Sequence, residues 1–191
     1  MDLELRLLQI MNQVVNVRDY EDKVIKKEIM DQLLKAFSLG PSLANIQPWE
    51  LIVLNNPIEK QKAVHASLDP FLTKGSFGAQ QWIQQAPFVM VACIEKRRAL
   101  ARLGDEGEVF SIQDLFSALQ NFRVLATFNG LSTSVVREFD QKQLKENLDL
   151  PWYVEPHAIV TAGYSDVILE IPPRFSVREI LHGGCYDEQG K

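Results

Sequence analysis

The stretch from Ile112 to Ala126 constrains the fold more than any other part of the chain. Ile112, Leu115, Phe116, Leu119, Phe122 and Ala126 recur at helical spacing, and other apolar residues fall nearly all round the same helix. A helix with so little polar surface must be covered by other elements. It predicts a deeply buried central helix that ends near Asn129-Gly130. Candidates to cover it lie on both sides in sequence. Leu3, Leu7, Met11 and Val14, widened by Leu8, Ile10 and Val15, mark a first helix over 2–15. Ile29, Leu33, Leu34 and Phe37 mark a second over 26–39, stopped by Gly40-Pro41.

Short apolar runs at Trp49 to Leu54, Pro87 to Ile94 and His157 to Tyr164 read as buried strands. Leu131 to Val136 reads as a strand or an extended loop. Residues 58–67 and 77–85 look helical, Arg102 to Gly107 is a loop by composition, and Asp140 caps a short helix reaching about 148. Ile171-Pro172-Pro173 breaks the chain before a short helix or turn at Ser176 to His182. Helices and strands are mixed without the regular alternation of a doubly wound sheet, and no Gly-rich dinucleotide loop follows the first strand. With 191 residues, no linker and no repeat, residues 1–191 are expected to form a single domain.

Composition excludes several classes. A chain 46% hydrophobic and 24% charged can bury a core, which argues against disorder. Its formal net charge of −5, without a Lys/Arg block, does not suit nucleic acid, because phosphate neutralisation needs clustered cations. No run approaches the ~18 apolar residues of a membrane span. Met1-Asp2-Leu3-Glu4-Leu5-Arg6 lacks the basic head and apolar run of a secretory signal. Cys93 and Cys185 make neither a disulfide framework nor a zinc site. The expectation is a reduced, cytoplasmic protein with no membrane or nucleic-acid partner.

Familiar catalytic constellations are missing. His65, His157 and His182 have no metal-ligand spacing, and neither a G-x-S-x-G elbow nor a phosphate-binding P-loop occurs. Cys93 lies in an apolar strand, where an inert core thiol is the simpler reading. Asp105, Glu106 and Glu108 read as a solvated loop. An enzyme built from this inventory would borrow its chemistry from a cofactor. One segment does offer a recognition surface. Between the second helix and the first strand, Ser42, Asn45 and Gln47 present short polar groups in a loop stiffened by Pro41 and Pro48. Such donors and acceptors suit the edge of a planar heterocycle; an ordinary loop with polar filler is the alternative.

That segment, PSLANIQPWELIVL, resembles the PS-x-x-N-x-QPW-x-x-IVV motif of the FMN-dependent nitroreductase-like oxidoreductases. Four other places agree in order and spacing. Asn16-Val17-Arg18-Asp19-Tyr20 resembles the family's RRS-x-R-x-[FY], and Gln85-Ala86-Pro87 resembles the start of its "APVVIVV" strand. Gly130-Leu131-Ser132-Thr133, with Phe139-Asp140 and Leu148-Asp149-Leu150-Pro151, resembles GLGS … FD … LxLP. Gly163-Tyr164 followed by Arg174 resembles the closing GYP … R. The loop and helix RLGDEGEVFSIQD are similar to those of short members of the family.

The resemblance implies an α+β, nitroreductase-like fold: a central mixed β-sheet flanked by helices, in an intertwined homodimer. It implies FMN as cofactor, NAD(P)H as co-substrate and a tail, about 170–191, that extends onto the partner subunit. Asn45 would bond the isoalloxazine edge, and Pro41 and Ser42 would approach the flavin from the partner chain. Gln47 would support that loop. Val135, Val136 and Arg137 would lie along one flavin face, with a backbone N–H near flavin N5. Arg18 and Arg174 would hold the phosphate, with Asn16 as a further donor. Guanidinium forks suit a phosphate because bidentate charge-assisted bonds are strong and directional. Arg137 is either a cation beside the reduced flavin or a surface arginine. The implied reaction is ping-pong hydride transfer through N5 to a small conjugated acceptor (nitroaromatic, quinone or enone), with no side chain required as acid or base.

The sequence also departs from the pattern. Val14 stands at the first arginine of RRS-x-R, and Pro172 at the lysine of a carboxy-terminal K-x-R. Two lost contacts to a charged group would weaken FMN binding by roughly 10²-fold unless other groups compensate. The Glu138 carboxylate would be unfavourable beside the flavin unless it turns outward. These departures keep a second reading open: a flavin-binding or degenerate homologue without turnover, acting as a structural or regulatory dimer.

Overall fold

Two strands, β2 (Phe88–Glu95) and β4 (Val154–Gly163), form the spine of the computed structural model, which describes residues 3–69, 77–168, 170–184 and 186. Each is flanked by a shorter strand: β1 (Trp49–Val53) beside β2, and β3 (Ser132–Val136) beside β4. The order is β1-β2-β4-β3, and every ladder is antiparallel. The α+β class holds, but the sheet expected to be mixed is antiparallel throughout its named strands. The one parallel pairing among the described residues is an isolated bridge, Asn16 to Thr133.

Alternation along the strands sends side chains to two cores. Val89, Val91, Cys93 and Ile159 meet α3 (Pro57–Ala66) and α6 (Gln141–Asn147) on one face. Met90, Ala92, Ile94, Val160 and Ala162 meet α2 (Lys27–Ser38) and α5 (Gly107–Phe128) on the other. Helices therefore cover both faces, as expected. The β2–β4 register slips between Ala92 and Cys93, whose partners are Ala158 and Pro156. A proline cannot donate to the ladder, and the slip leaves His157 as the extra residue.

The long helix is α5. Leu115, Ala118, Leu119, Phe122 and Ala126 are buried, while its outer side, with Val109 and Phe128, stays open to solvent. It is thus half covered in the single chain rather than enclosed. Helix α2 approaches it so closely that a Cβ on Gly40 would lie 2.3 Å from Ala118 Cβ. Helix α1 (Leu3–Asn12) ends earlier than expected, because Val14 and Val17 leave the helix to bury themselves in extended chain. The segment read as a loop at Arg102 to Gly107 is helical. Helix α4 (Lys96–Leu103) runs into a short 3₁₀ turn at Gly104–Glu106, and Glu95 caps it by accepting from the Arg97 N–H. Its eight residues, four of them basic, carry only a short apolar side of Ala99, Leu100 and Leu103.

The expected helix over 77–85 is a 3₁₀ turn at Gln81–Gln85. Beyond Tyr164 and Ser165 the described chain is almost wholly exposed, including the four-residue α7 (Val177–Ile180), which carries a Ser176/Glu179 capping box. Of the expected tail, Cys185 and residues 187–191 lie outside the described residues.

Candidate functional site

The bridge between Asn16 and Thr133 brings the amino-terminal segment alongside β3. The Val17 N–H donates to the Thr133 carbonyl at 3.0 Å, and the Val17 side chain is buried. In extended chain the neighbours turn the other way, so Asn16 and Arg18 face outward. They open onto a cleft of about 280 Å³ between the end of β3 and the middle of α5. Val135 and Val136 line it from β3, Arg137 and Glu138 from the residues just after it, and Phe116, Gln120 and Arg123 from α5.

Three arginines and one glutamate line this cleft, in a chain of net charge −5. The Arg123 guanidinium is partly buried. Its Nε donates to Thr133 Oγ1 at 3.1 Å and its Nη2 to Asn16 Oδ1 at 3.0 Å. Both partners are neutral, and Arg123 forms no ion pair among the described residues. Burial lowers its hold on its proton, with the Tyr20 phenol acting in the opposite direction. Arg18 stands over the Trp82 ring at 5.9 Å and Arg137 over the Phe116 ring at 5.9 Å. Both heads are steadied by an aromatic face while remaining exposed.

Asn16 Oδ1 also accepts from the Val135 N–H at 3.3 Å, and among the described residues the Asn16 amide nitrogen is left free to donate. Val135 is half-buried on the α5 side, whereas Val136 turns its side chain into the opposite core. The Glu138 carboxylate turns back to accept from the Arg137 N–H at 3.2 Å. It is therefore held by its own backbone, and it occupies one of the N–H groups expected to face a flavin.

The helix-to-strand loop is a separate site. Ser42 Oγ accepts from the Gln47 N–H at 3.0 Å, and Gln47 Nε2 donates to Asn45 Oδ1 at 3.3 Å. Ala44, Asn45 and Gln47 have φ of 52°, 55° and 51°, in the left-handed region that disfavours all but glycine and, less strongly, asparagine. Such strain persists only when the surroundings hold it. Here Asp114 on α5 accepts from the Leu43 N–H at 2.9 Å, and from α4 Arg98 and Arg102 donate to the carbonyls of Gln47 and Ala44.

Of the residues expected from sequence, Asn16, Arg18, Val135, Val136 and Arg137 come together in one cleft. Pro41, Ser42, Asn45 and Gln47 come together in one loop, but none of them lines that cleft. Arg174 lies on the exposed tail and does not line it either. Arg123 was not anticipated. The one signal for it was that α5, 22 residues long, contains a single basic residue. Elsewhere, Cys93 is an inert core thiol, pushed up to about 12 chiefly by burial. No group of three or more His, Cys, Asp or Glu among the described residues could hold a metal ion. No described helix is long and apolar enough to cross a membrane.

A model of the nitroreductase family matches residues 16–164. The FMN reductase (NAD(P)H) of Bacillus subtilis is 26% identical over 188 residues, covering 91% of this chain and 72% of that protein. An NADH dehydrogenase of Thermus thermophilus is 24% identical over 177 residues, covering 78% of this chain and 82% of that one. Among solved structures, an NADPH:FMN oxidoreductase from Vibrio harveyi complexed with NAD+ superposes with a TM-score of 0.80 at 20% identity. That superposition covers 95% of this chain and 78% of the Vibrio chain, and at this identity it speaks for the fold alone.

Proposed function

The chain belongs to the nitroreductase family, and from that premise we propose that it is an FMN-dependent NAD(P)H oxidoreductase acting as a homodimer. One observation carries the reading. Asn16 and Val135, 119 positions apart, are hydrogen-bonded across a cationic cleft that also holds Arg18, Arg123 and Arg137. The donor set fits a phosphorylated flavin: guanidinium groups for a phosphate, an amide donor at Asn16, and apolar Val135 for a ring. The volume, about 280 Å³, is at the small end for a ligand pocket. That suits a half-site which a second chain completes.

FMN held here would supply the redox chemistry between NAD(P)H and a nitroaromatic, quinone or enone acceptor. The chain itself positions and screens. Arg18 holds the phosphate. Val135 keeps water from one ring face, and Arg137 offsets the negative charge of the reduced ring. The strained loop at Pro41 to Gln47 is contributed by the partner, with Asn45 toward the flavin edge. The exposed tail, with Arg174, lies on the partner as well. No side chain in the cleft need act as a general acid or base.

The test is direct. The purified protein, supplied with FMN, is expected to be yellow and to bleach on anaerobic addition of NADH or NADPH, with colour returning when menadione or a nitroaromatic is added. A colourless protein that takes up no FMN overturns the proposal. Bound flavin that neither nicotinamide bleaches favours the degenerate, non-turnover reading.

A further inference from the structure

We infer that Arg123 is a second phosphate ligand beside Arg18, the oriented cation on which this cleft's preference for the phosphorylated flavin over riboflavin chiefly depends. The inference rests on the FMN reading above and assigns one residue within it.

Arg123 differs from the other two arginines of the cleft. Arg18 and Arg137 are exposed and lie over aromatic rings, where water and the ring quadrupole satisfy them. Arg123 is partly withdrawn from water, yet it has no carboxylate partner among the described residues. A withdrawn cation costs free energy unless an anion meets it. The Thr133 hydroxyl and the Asn16 carbonyl orient the guanidinium but do not neutralise it. Those two bonds use two of its five N–H groups and leave three for a ligand. The fork is thus fixed in direction before a ligand arrives, so little side-chain freedom is lost on binding.

The neighbouring groups agree with a phosphate. Asn16, held by Arg123, has its amide nitrogen free to donate beside the same fork. Glu138, the single acidic residue in the cleft, is turned onto the Arg137 N–H and so does not pair with Arg123. Val14 is buried in the core, so the position two residues before Asn16 offers no cation. The long helix contributes a charge instead, from 107 positions beyond Asn16 in the sequence.

The experiment measures dissociation constants of the flavin-free homodimer for FMN and for riboflavin, by quenching of flavin fluorescence. It is repeated with inorganic phosphate as competitor. Wild type is expected to prefer FMN, with phosphate competing. Arg123→Gln is expected to weaken FMN roughly 10- to 100-fold and riboflavin little, and to blunt phosphate competition. Arg123→Lys keeps the charge and is expected to retain most of the preference. Its stability and its riboflavin binding show whether the site is intact. An unchanged FMN-to-riboflavin ratio in Arg123→Gln, or equal losses for both ligands, overturns the inference. If Arg123→Gln does not fold, a wild type whose FMN binding phosphate does not oppose, or an Arg123→Lys variant without any preference for FMN, overturns it equally. Wild type that binds neither flavin sinks the parent proposal; wild type that binds FMN, with a ratio blind to Arg123, sinks this one alone.

Discussion

Pro156 places a titratable group inside the sheet. The ladder slips at the proline, and His157 is the residue left over, partly buried with its Nε2 lacking a partner among the described residues. Burial lowers its pKa; Glu155 and Glu108 oppose that, and Lys96 adds to it. The unfolded chain titrates near 6.5, so below that pH it binds a proton that the folded chain resists. Stability then falls as pH drops below about 6.5 and levels off below the folded-state pKa. Urea midpoints measured between pH 7.5 and 5 at fixed protein concentration are expected to fall for wild type. They should fall less for His157→Gln. Parallel curves for the two proteins would show that another group sets the slope. At this scale the sequence was partly legible. Asn16, Arg18 and Asn45 stand in motifs, so spacing marks them. Arg123 stands alone on an apolar helix, and only the fold brings it within 3.0 Å of Asn16, 107 positions away. The left-handed backbone at Ala44 and Gln47 carries no signal, because neither residue type favours it.

Elements announced themselves where their pattern had one cause. Asp140 caps α6 through the Gln143 N–H at 2.7 Å, as its position before a short amphipathic run predicts. The three apolar runs became β1, β2 and β4: the central β2 and β4 are buried on both faces and need nearly continuous apolar sequence, while the edge strand β1 is half-buried throughout. Helix α4 was hidden because it is only eight residues long and rich in arginine: its apolar side is short (Ala99, Leu100 and Leu103), and the Glu95 cap, which also pairs with Arg97 at 2.8 Å, stands before its first turn. Gly40 shows the limit of local reading. It was read as a helix stop, and it is also the contact that lets α2 close on Ala118, with a built Cβ only 2.6 Å from the Ala118 Cα. Gly40→Ala is expected to cost about 1–3 kcal/mol through overpacking, seen as a melting temperature lowered by roughly 2–4 °C per kcal/mol. Adding Ala118→Gly should restore part of it. Pro41 follows directly, so the displaced helix end should loosen FMN as well. An unchanged melting temperature would mean that the helices do not approach so closely.

The molecule as a whole leaves a broad apolar surface open, the surface on which the proposed homodimer rests. Leu3 is 79% exposed and Leu8 62%, and Phe128 at the end of α5 is 52% exposed. Leu7, Met11, Val124 and Phe128 border a groove of about 520 Å³. Along the tail, Ile168 is 90% exposed and Phe175 78%. On the proposed homodimer, the apolar period that runs nearly all round α5 has two causes: one side meets the sheet, and the other would meet a second copy. The site divides the same way, with the cationic cleft and the strained loop apart in one chain. Phe128→Glu tests both divisions together. The side chain is largely outside the subunit's own core, so the fold should survive, while a carboxylate in a shared apolar face should not. Wild type is expected to sediment as a dimer at micromolar concentration and the variant as a folded monomer by circular dichroism. If the loop at Pro41 to Gln47 completes the partner's cleft, that monomer should also lose most of its affinity for FMN. A monomeric variant that keeps FMN as tightly as wild type would place the whole flavin site within one chain, and a wild type that is itself monomeric would leave the exposed face without its second copy.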